Sequence, residues 1–138
     1  MGMFRQTIIM AALLLAGSAQ ADDFLRQNVL YFLQHASVTA HVRIDRTRTV
    51  NEFRDLTTGR VGYKTFEVMA TVIEGFKGVG QGKITFLVVQ EQPSDPPRNG
   101  QFIVSLNRDK DGRLVFADDS VLWVAASPDL LAAVRAGE

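Results

Sequence analysis

Cysteine is absent from the 138 residues of this chain, and histidine occurs only twice. The lack of cysteine excludes disulfide bonds, thiolate nucleophiles and cysteine-ligated zinc. It also excludes a lipid-anchored N-terminus of the lipoprotein type, because that lipid is attached to a cysteine. The stability of the folded chain must therefore come from apolar packing.

An excess of charge of one sign is also missing. Lysine plus arginine and aspartate plus glutamate each number 15, so the formal net charge is +0. A chain without a global field has little to attract nucleic acid or anionic lipid. Because 46% of the residues are apolar and 22% are charged, the composition is that of a folded globular domain. It predicts no nucleic-acid partner.

A long apolar run occurs only at the N-terminus. Arg5 precedes an apolar segment at residues 8–16, and Ala19-Gln20-Ala21 supplies the small residues of a cleavage site. The segment is shorter than the roughly 20 residues of a membrane-spanning helix. Residues 1–21 are therefore predicted to be a signal peptide, cleaved after Ala21. This predicts a periplasmic or secreted protein without stable membrane insertion after cleavage. An uncleaved membrane anchor is the alternative.

Residues 22–138 are predicted to form a single domain of strands between two helices. Apolar residues at three- and four-residue spacing predict a helix over Asp22–Ala36. Strict alternation then predicts a strand over Val38–Asp45, with His41 on its solvent-exposed face. Ser127 and Pro128 predict the start of the last helix. The other predicted strands are Tyr63–Ile73, Lys83–Gln90, Phe102–Leu106, Arg113–Phe116 and Ser120–Ala125.

The connections between these strands decide the fold class. Arg46–Gly62 is polar and is predicted to be irregular, Gly75–Gly82 to be a turn, and the proline-rich Gln92–Gly100 to be a loop. Strands and helices do not alternate, which disfavours a parallel sheet. The sequence therefore predicts a mainly β fold, a small antiparallel OB-like barrel of about six strands with an N-terminal and a short C-terminal helix.

One stretch resembles the start of a calcium-binding loop. Asn107, Asp109 and Asp111 occupy its first, third and fifth positions, Gly112 the sixth and Asp118 the twelfth. Oxygen ligands at that spacing predict a weak calcium site. The alternative is an acidic hairpin turn, because strands rather than helices flank the stretch and an aspartate replaces the usual glutamate. No other metal or cofactor is predicted.

The two histidines, His35 and His41, are the main candidates for catalysis. They do not have the spacing of a metal-binding motif. His35 is expected at a helix end, where its charge would suit the helix dipole. A structural role is predicted for both residues. The alternative is an unrecognised hydrolase that uses His35 or His41 with a distant carboxylate.

Arginine is concentrated between residues 43 and 60. These side chains could meet an anionic envelope polymer, but acidic residues interleave with them, which favours a solvated surface that neutralises itself. The basic residues are Arg43, Arg46, Arg48, Arg54 and Arg60, and the acidic ones are Asp45, Glu52 and Asp55.

Three segments, Ser37–Val42, Phe66–Gly78 and Lys83–Phe86, resemble the strand pattern of netrin-like domains, which are similar to tissue inhibitors of metalloproteinases. The closest part is Glu74-Gly75-Phe76-Lys77-Gly78 followed by Ile84-Thr85-Phe86. The resemblance, over Ser37–Leu106, implies an OB barrel. Those inhibitors engage a protease metal through an N-terminal cysteine and are held by disulfides. This chain has no cysteine, so the resemblance implies no inhibitory residue here.

These expectations together predict an exported, non-catalytic binding module. Its partner is an unknown protein or envelope component. The alternatives are the periplasmic hydrolase and the weakly calcium-binding β-domain described above.

Overall fold

A computed structural model describes residues 22–137, so the predicted signal peptide at residues 1–21 lies outside the described residues. Helix α1 covers residues 22–35 and helix α2 Pro128–Ala136. The mainly β class with two helices is confirmed. Within the described range no helix has the length and apolarity needed to cross a membrane. The strands are β1 Val38–Arg54, β2 Val61–Lys77, β3 Gly82–Glu91, β4 Gln101–Arg108, β5 Leu114–Phe116 and β6 Val124–Ala125.

Five of the strands pair in a closed ring. The order is β1-β2-β3-β5-β4, and β4 pairs back with β1. Neighbours are antiparallel except β3 and β5, which run parallel and meet only at Leu87 and Val115. Strand β6 pairs antiparallel with the start of β4.

The interior of the ring is filled by alternate residues of its strands. On β2, the side chains of Phe66, Val68, Ala70 and Val72 are buried there, and each residue is at most 4% exposed. Trp123 contributes from the segment before β6, with its ring centroid 4.7 Å from that of Phe116. The apolar packing that the sequence requires is therefore found inside the ring.

A second apolar layer lies outside the ring, between the sheet and the two helices. Val29 of α1 and Val134 of α2 pack there with Ile103 of β4 and Val124 of β6. His41 is the register partner of Ile103 and lies under the same helices, with 6% exposure. The prediction that His41 faces solvent is therefore wrong. Alternation shows which residues share a face, but it does not show which face a helix covers.

The segment Arg46–Gly62 is not irregular as predicted. Strand β1 continues to Arg54, β2 begins at Val61, and the two remain paired as far as these residues. Polar side chains suggested a loop, but the ladder of a hairpin is made by the backbone and needs no apolar face. We call residues 46–67, which include the turn at residues 55–60, the arm.

The remaining elements follow the sequence more closely. The predicted hairpin of β4 and β5 is confirmed, with Gly112 at φ 80° in its turn. The Ser127 hydroxyl accepts a hydrogen bond from the Leu130 amide and caps α2, as predicted. The predicted strand Ser120–Ala125 is shorter, because only its last two residues pair.

Candidate functional site

The turn between β4 and β5 is organised around Asp109. Its Oδ1 accepts the backbone N–H groups of Asp111 and Arg113, both at 2.9 Å. The Arg113 guanidinium contacts both carboxylates at 3.3 Å. The hydrogen bond from the Arg113 amide, helped by those from Asp111 and the guanidinium, lowers the pKa of Asp109 against the opposing effect of desolvation. The cation between the carboxylates of Asp109 and Asp111 is therefore the guanidinium of Arg113.

The other two predicted calcium ligands bond in other places. The Asn107 side-chain oxygen accepts the Ser37 amide at 3.1 Å. Asp118 accepts from the Ser120 amide at 2.8 Å and from Asn28 at 3.5 Å. Over residues 22–137, no three His, Asp or Glu side chains are grouped to hold a metal ion. Calcium binding at Asn107, Asp109, Asp111 and Asp118 stays a prediction.

The two histidines lie in different surroundings. His35 is exposed at the end of α1 and stacks against Tyr31 with a centroid distance of 4.3 Å. The buried His41 places Nε2 2.8 Å from Oε1 of Gln101, and its Nδ1 has no hydrogen-bond partner in the described structure. Neither imidazole is hydrogen bonded to a carboxylate there, and the hydrolase alternative stays a prediction.

Exposed apolar side chains concentrate at the end of the sheet that carries the arm. Leu56, in the turn of the arm, is 100% exposed, and Phe53, beside that turn, is 50% exposed. Val50, Tyr63 and Val89 are each exposed by more than two fifths. We call these five residues the distal apolar group. The other exposed large apolar residues of the described range are Phe24 and Tyr31, both on α1. Clustered apolar exposure is a sign of a binding surface.

Three members of the distal apolar group share the outward face of the sheet. Phe53 and Tyr63 are direct register partners, and Val89 is the partner of Thr65, two residues from Tyr63. Residues two apart in a strand point to the same side. The adjacent Phe66 fills the ring, so these three side chains point away from it.

A cleft opens beside the end of β3. One edge of β3 pairs with β2 as far as Glu91. The other edge pairs with β5 at Leu87, and beyond Leu87 no strand of the described range pairs with it. The cleft has a volume of about 470 Å³, and we call it the β3 cleft. Its walls are Tyr63, Val89–Ser94 and Asp119–Val121.

The far wall of the β3 cleft contains a strained residue. Val121 has φ 54°, a left-handed conformation that is a genuine outlier for a β-branched side chain. Such a residue costs about 1–3 kcal/mol, and these residues cluster at functional sites. Glu91 and Asp119 make the lining acidic, and it contains no lysine or arginine.

The arm differs from the cleft in its charge. Arg48 pairs with Glu67 at 2.8 Å, and Glu52 lies 3.8 Å from Arg54 and 3.9 Å from Lys64. Arg46 and Arg60 make no ion pair within residues 22–137. Residues 46–67 include five basic and three acidic residues, so the arm carries a net charge of +2. The predicted neutralisation is incomplete on this hairpin.

Sequence reasoning missed both surfaces. Phe53 and Leu56 lie in the segment that was predicted to be irregular, and both are exposed on the hairpin. The available signal was the turn sequence Thr57-Thr58-Gly59 between two segments of strand-forming residues. The cleft had no local signal, because residues 90–94 and 119–121 are brought together only by the ring.

Comparison with models of protein families matches none, and a search among curated proteins finds no significant match.

Proposed function

We propose that this protein is an exported, non-catalytic binding module, periplasmic or secreted, built on an OB-like barrel. The ring order and the single parallel pair β3–β5 support the barrel, because the OB fold is a five-stranded, partly open Greek-key barrel. The resemblance to netrin-like domains favours the same architecture. Because fold alone does not define function, the binding proposal rests on a site.

The site that we propose is the β3 cleft, and its ligand is an extended peptide segment of a partner protein. The observation that carries the proposal is the unpaired edge of β3 beyond Leu87. An extended peptide adds to such an edge through main-chain hydrogen bonds, and pockets for its side chains supply specificity.

The surroundings of the edge define the chemistry of the partner segment. Tyr63 and Val89, each 49% exposed, offer apolar contact beside it. Glu91 and Asp119 place negative charge at its walls, which favours a segment with basic and apolar residues. Binding rather than turnover is the role that we propose for this site.

Peptide selection on the purified protein tests this proposal. Peptides selected from a random library are expected to combine basic and apolar residues. Val89→Lys should weaken their affinity by about tenfold or more, because it removes an apolar contact and places a cation where the basic residues of the peptide bind. Binding is measured by calorimetry in the absence of lipid.

Val50→Lys is the matched control, since Val50 has the same side chain and 44% exposure but does not line the cleft. It should leave the affinity unchanged. Failure to select any peptide, or equal losses in the two variants, would contradict the proposal.

A further inference from the structure

The turn of the arm presents an apolar side chain at its outermost point. Leu56 is 100% exposed and lies in the turn that Asp55 holds by accepting the amides of Thr57 and Thr58 at 2.7 and 3.3 Å. A fully exposed leucine on an ordered turn gains nothing from the fold itself. A contact outside the chain is the only apolar interaction open to it.

Basic side chains flank this leucine. The Arg54 guanidinium donates to the Gly59 carbonyl at 2.6 Å across the turn, which places one cation beside Leu56. Arg60 lies at the other end of the turn and makes no ion pair in the described chain. The turn therefore combines a protruding apolar group with two guanidinium groups.

The charge of the arm contrasts with that of the rest of the chain. The arm carries a net charge of +2, whereas the remainder of residues 22–138 has nine basic and twelve acidic residues, a net charge of −3. This asymmetry orients the molecule, because an anionic surface attracts the arm and repels the body.

We propose that the arm docks peripherally on an anionic lipid bilayer, with Leu56 entering the interface. Apolar side chains bind an interface by burying about 5–10 Å into the headgroup region, helped by basic residues that meet anionic lipid. Phe53 and Tyr63 lie in the adjacent paired positions of the hairpin, where aromatic rings suit the headgroup level. The docking is reversible and spans nothing.

A bilayer explains this surface better than other anionic partners. A protein interface buries about 800 Å² on each side, and a protruding turn offers no flat area of that size. A soluble polyanion would use the arginines, but it would gain nothing from Leu56. A fluid interface accepts an isolated apolar protrusion together with the charges around it.

Vesicle sedimentation tests the docking on the mature protein, residues 22–138, which cleavage after Ala21 would leave. Vesicles of phosphatidylcholine with about 30% phosphatidylglycerol should bind the protein, and phosphatidylcholine alone should not. Salt at about 0.5 M should release it. Leu56→Asp and the double variant Arg54→Glu/Arg60→Glu should each weaken binding by about tenfold or more.

Phe24→Asp is the control, because Phe24 is 61% exposed and lies on α1, outside the arm. It should bind as the parent does. The Leu56→Trp variant adds a second tryptophan. Its fluorescence emission, after subtraction of the parent's emission, should shift to the blue with anionic vesicles only. That shift reports interface entry by position 56 itself.

Three results would overturn the docking. One is vesicle binding that Leu56→Asp leaves intact. Another is a loss of the same size in Phe24→Asp. The third is no binding of the parent to the anionic vesicles; loss of the selected peptides in Leu56→Asp would then assign the turn to a protein partner. The inference does not rest on the β3 cleft, which is tested with Val89→Lys and peptides, without lipid.

Discussion

Gly75 lies where the chain folds back against the end of β2. The backbone turns at Gly78, with φ 75°, and brings the Val79 carbonyl against Gly75. A Cβ atom at Gly75 would lie 1.8 Å from that carbonyl oxygen, closer than any real contact. The close approach of two backbone segments therefore requires glycine here.

Gly75→Ala should destabilise the protein by about 3 kcal/mol, because a backbone atom rather than a flexible side chain must move to admit the methyl group. Urea denaturation measures the loss. Gly80→Ala is the control, since a Cβ there meets nothing within 4 Å, and it should change stability by no more than about 0.5 kcal/mol. Equal effects at the two positions would show that the close approach does not limit stability.

The burial of His41 could not be predicted from the alternation of residues in its strand. Its place in a strand and the face it shares with Thr39 follow from alternation. The helices that cover this face are anchored by residues far away in the sequence, such as Val29 and Val134, and no local pattern specifies that packing. The Gln101 partner of His41 is likewise sixty positions away.

Helix α2 is attached to the sheet by its apolar side and by an ion pair. Arg135 Nη2 lies 2.7 Å from Glu74 Oε1 on β2. The hydrogen bond from this guanidinium lowers the pKa of Glu74, against desolvation. The pair is partly exposed, so packing of Leu130, Leu131 and Val134 in the outer layer is the stronger attachment.

Ser127→Ala should lower stability by about 1 kcal/mol, because it leaves a helix N–H group without its capping acceptor. Ser127→Asp should retain the parent stability, since aspartate caps equally well and adds charge favourable to the dipole. Thermal unfolding compares the two. Indistinguishable midpoints for the alanine and aspartate variants would contradict a role for the cap.

At the scale of elements, the sequence predicts strand existence better than strand length. The core face of β2 and the hairpin of β4 and β5 follow from alternation and from Asp111-Gly112. The extension of β1 beyond Asp45 does not, because its pairing with β2 is made by the backbone and its side chains are exposed. The last strand is shorter because Val121 adopts a left-handed conformation, and no residue type there indicates it.

The candidate binding surfaces were not predictable from local sequence for the same reason. The β3 cleft joins residues about thirty positions apart, and only the closing of the ring brings them together. The charges between residues 46 and 67 can be counted from the sequence. Their sum describes a surface only because the hairpin brings these residues together. Tertiary arrangement decides both surfaces.

At the scale of the whole molecule, two apolar layers share the same strands. Val104 and Leu106 of β4 pack inside the ring, while the adjacent Ile103 packs under the helices. Loss of β4 would therefore disrupt both layers. This predicts that ring and helices unfold together.

Urea unfolding should give coincident transitions for Trp123 fluorescence and for helical circular dichroism at 222 nm, as in a two-state process. Trp123 is the only tryptophan and reports the ring through its contacts with Phe116 and Phe102. A helical signal that is lost at clearly lower urea concentration would show that the outer layer unfolds on its own.

The length of the hairpin beyond Tyr63 is set independently of the ring. Successive side chains along a strand point to opposite faces of the sheet. The outward-facing side chains of the arm are not covered by a helix or a second sheet of the described chain. Removal of two residues from each strand would shorten its reach and preserve which side chains point outward. Removal of one would exchange the two faces. Evolution can thus adjust how far the leucine-bearing turn projects, in steps of two residues, without repacking the interior.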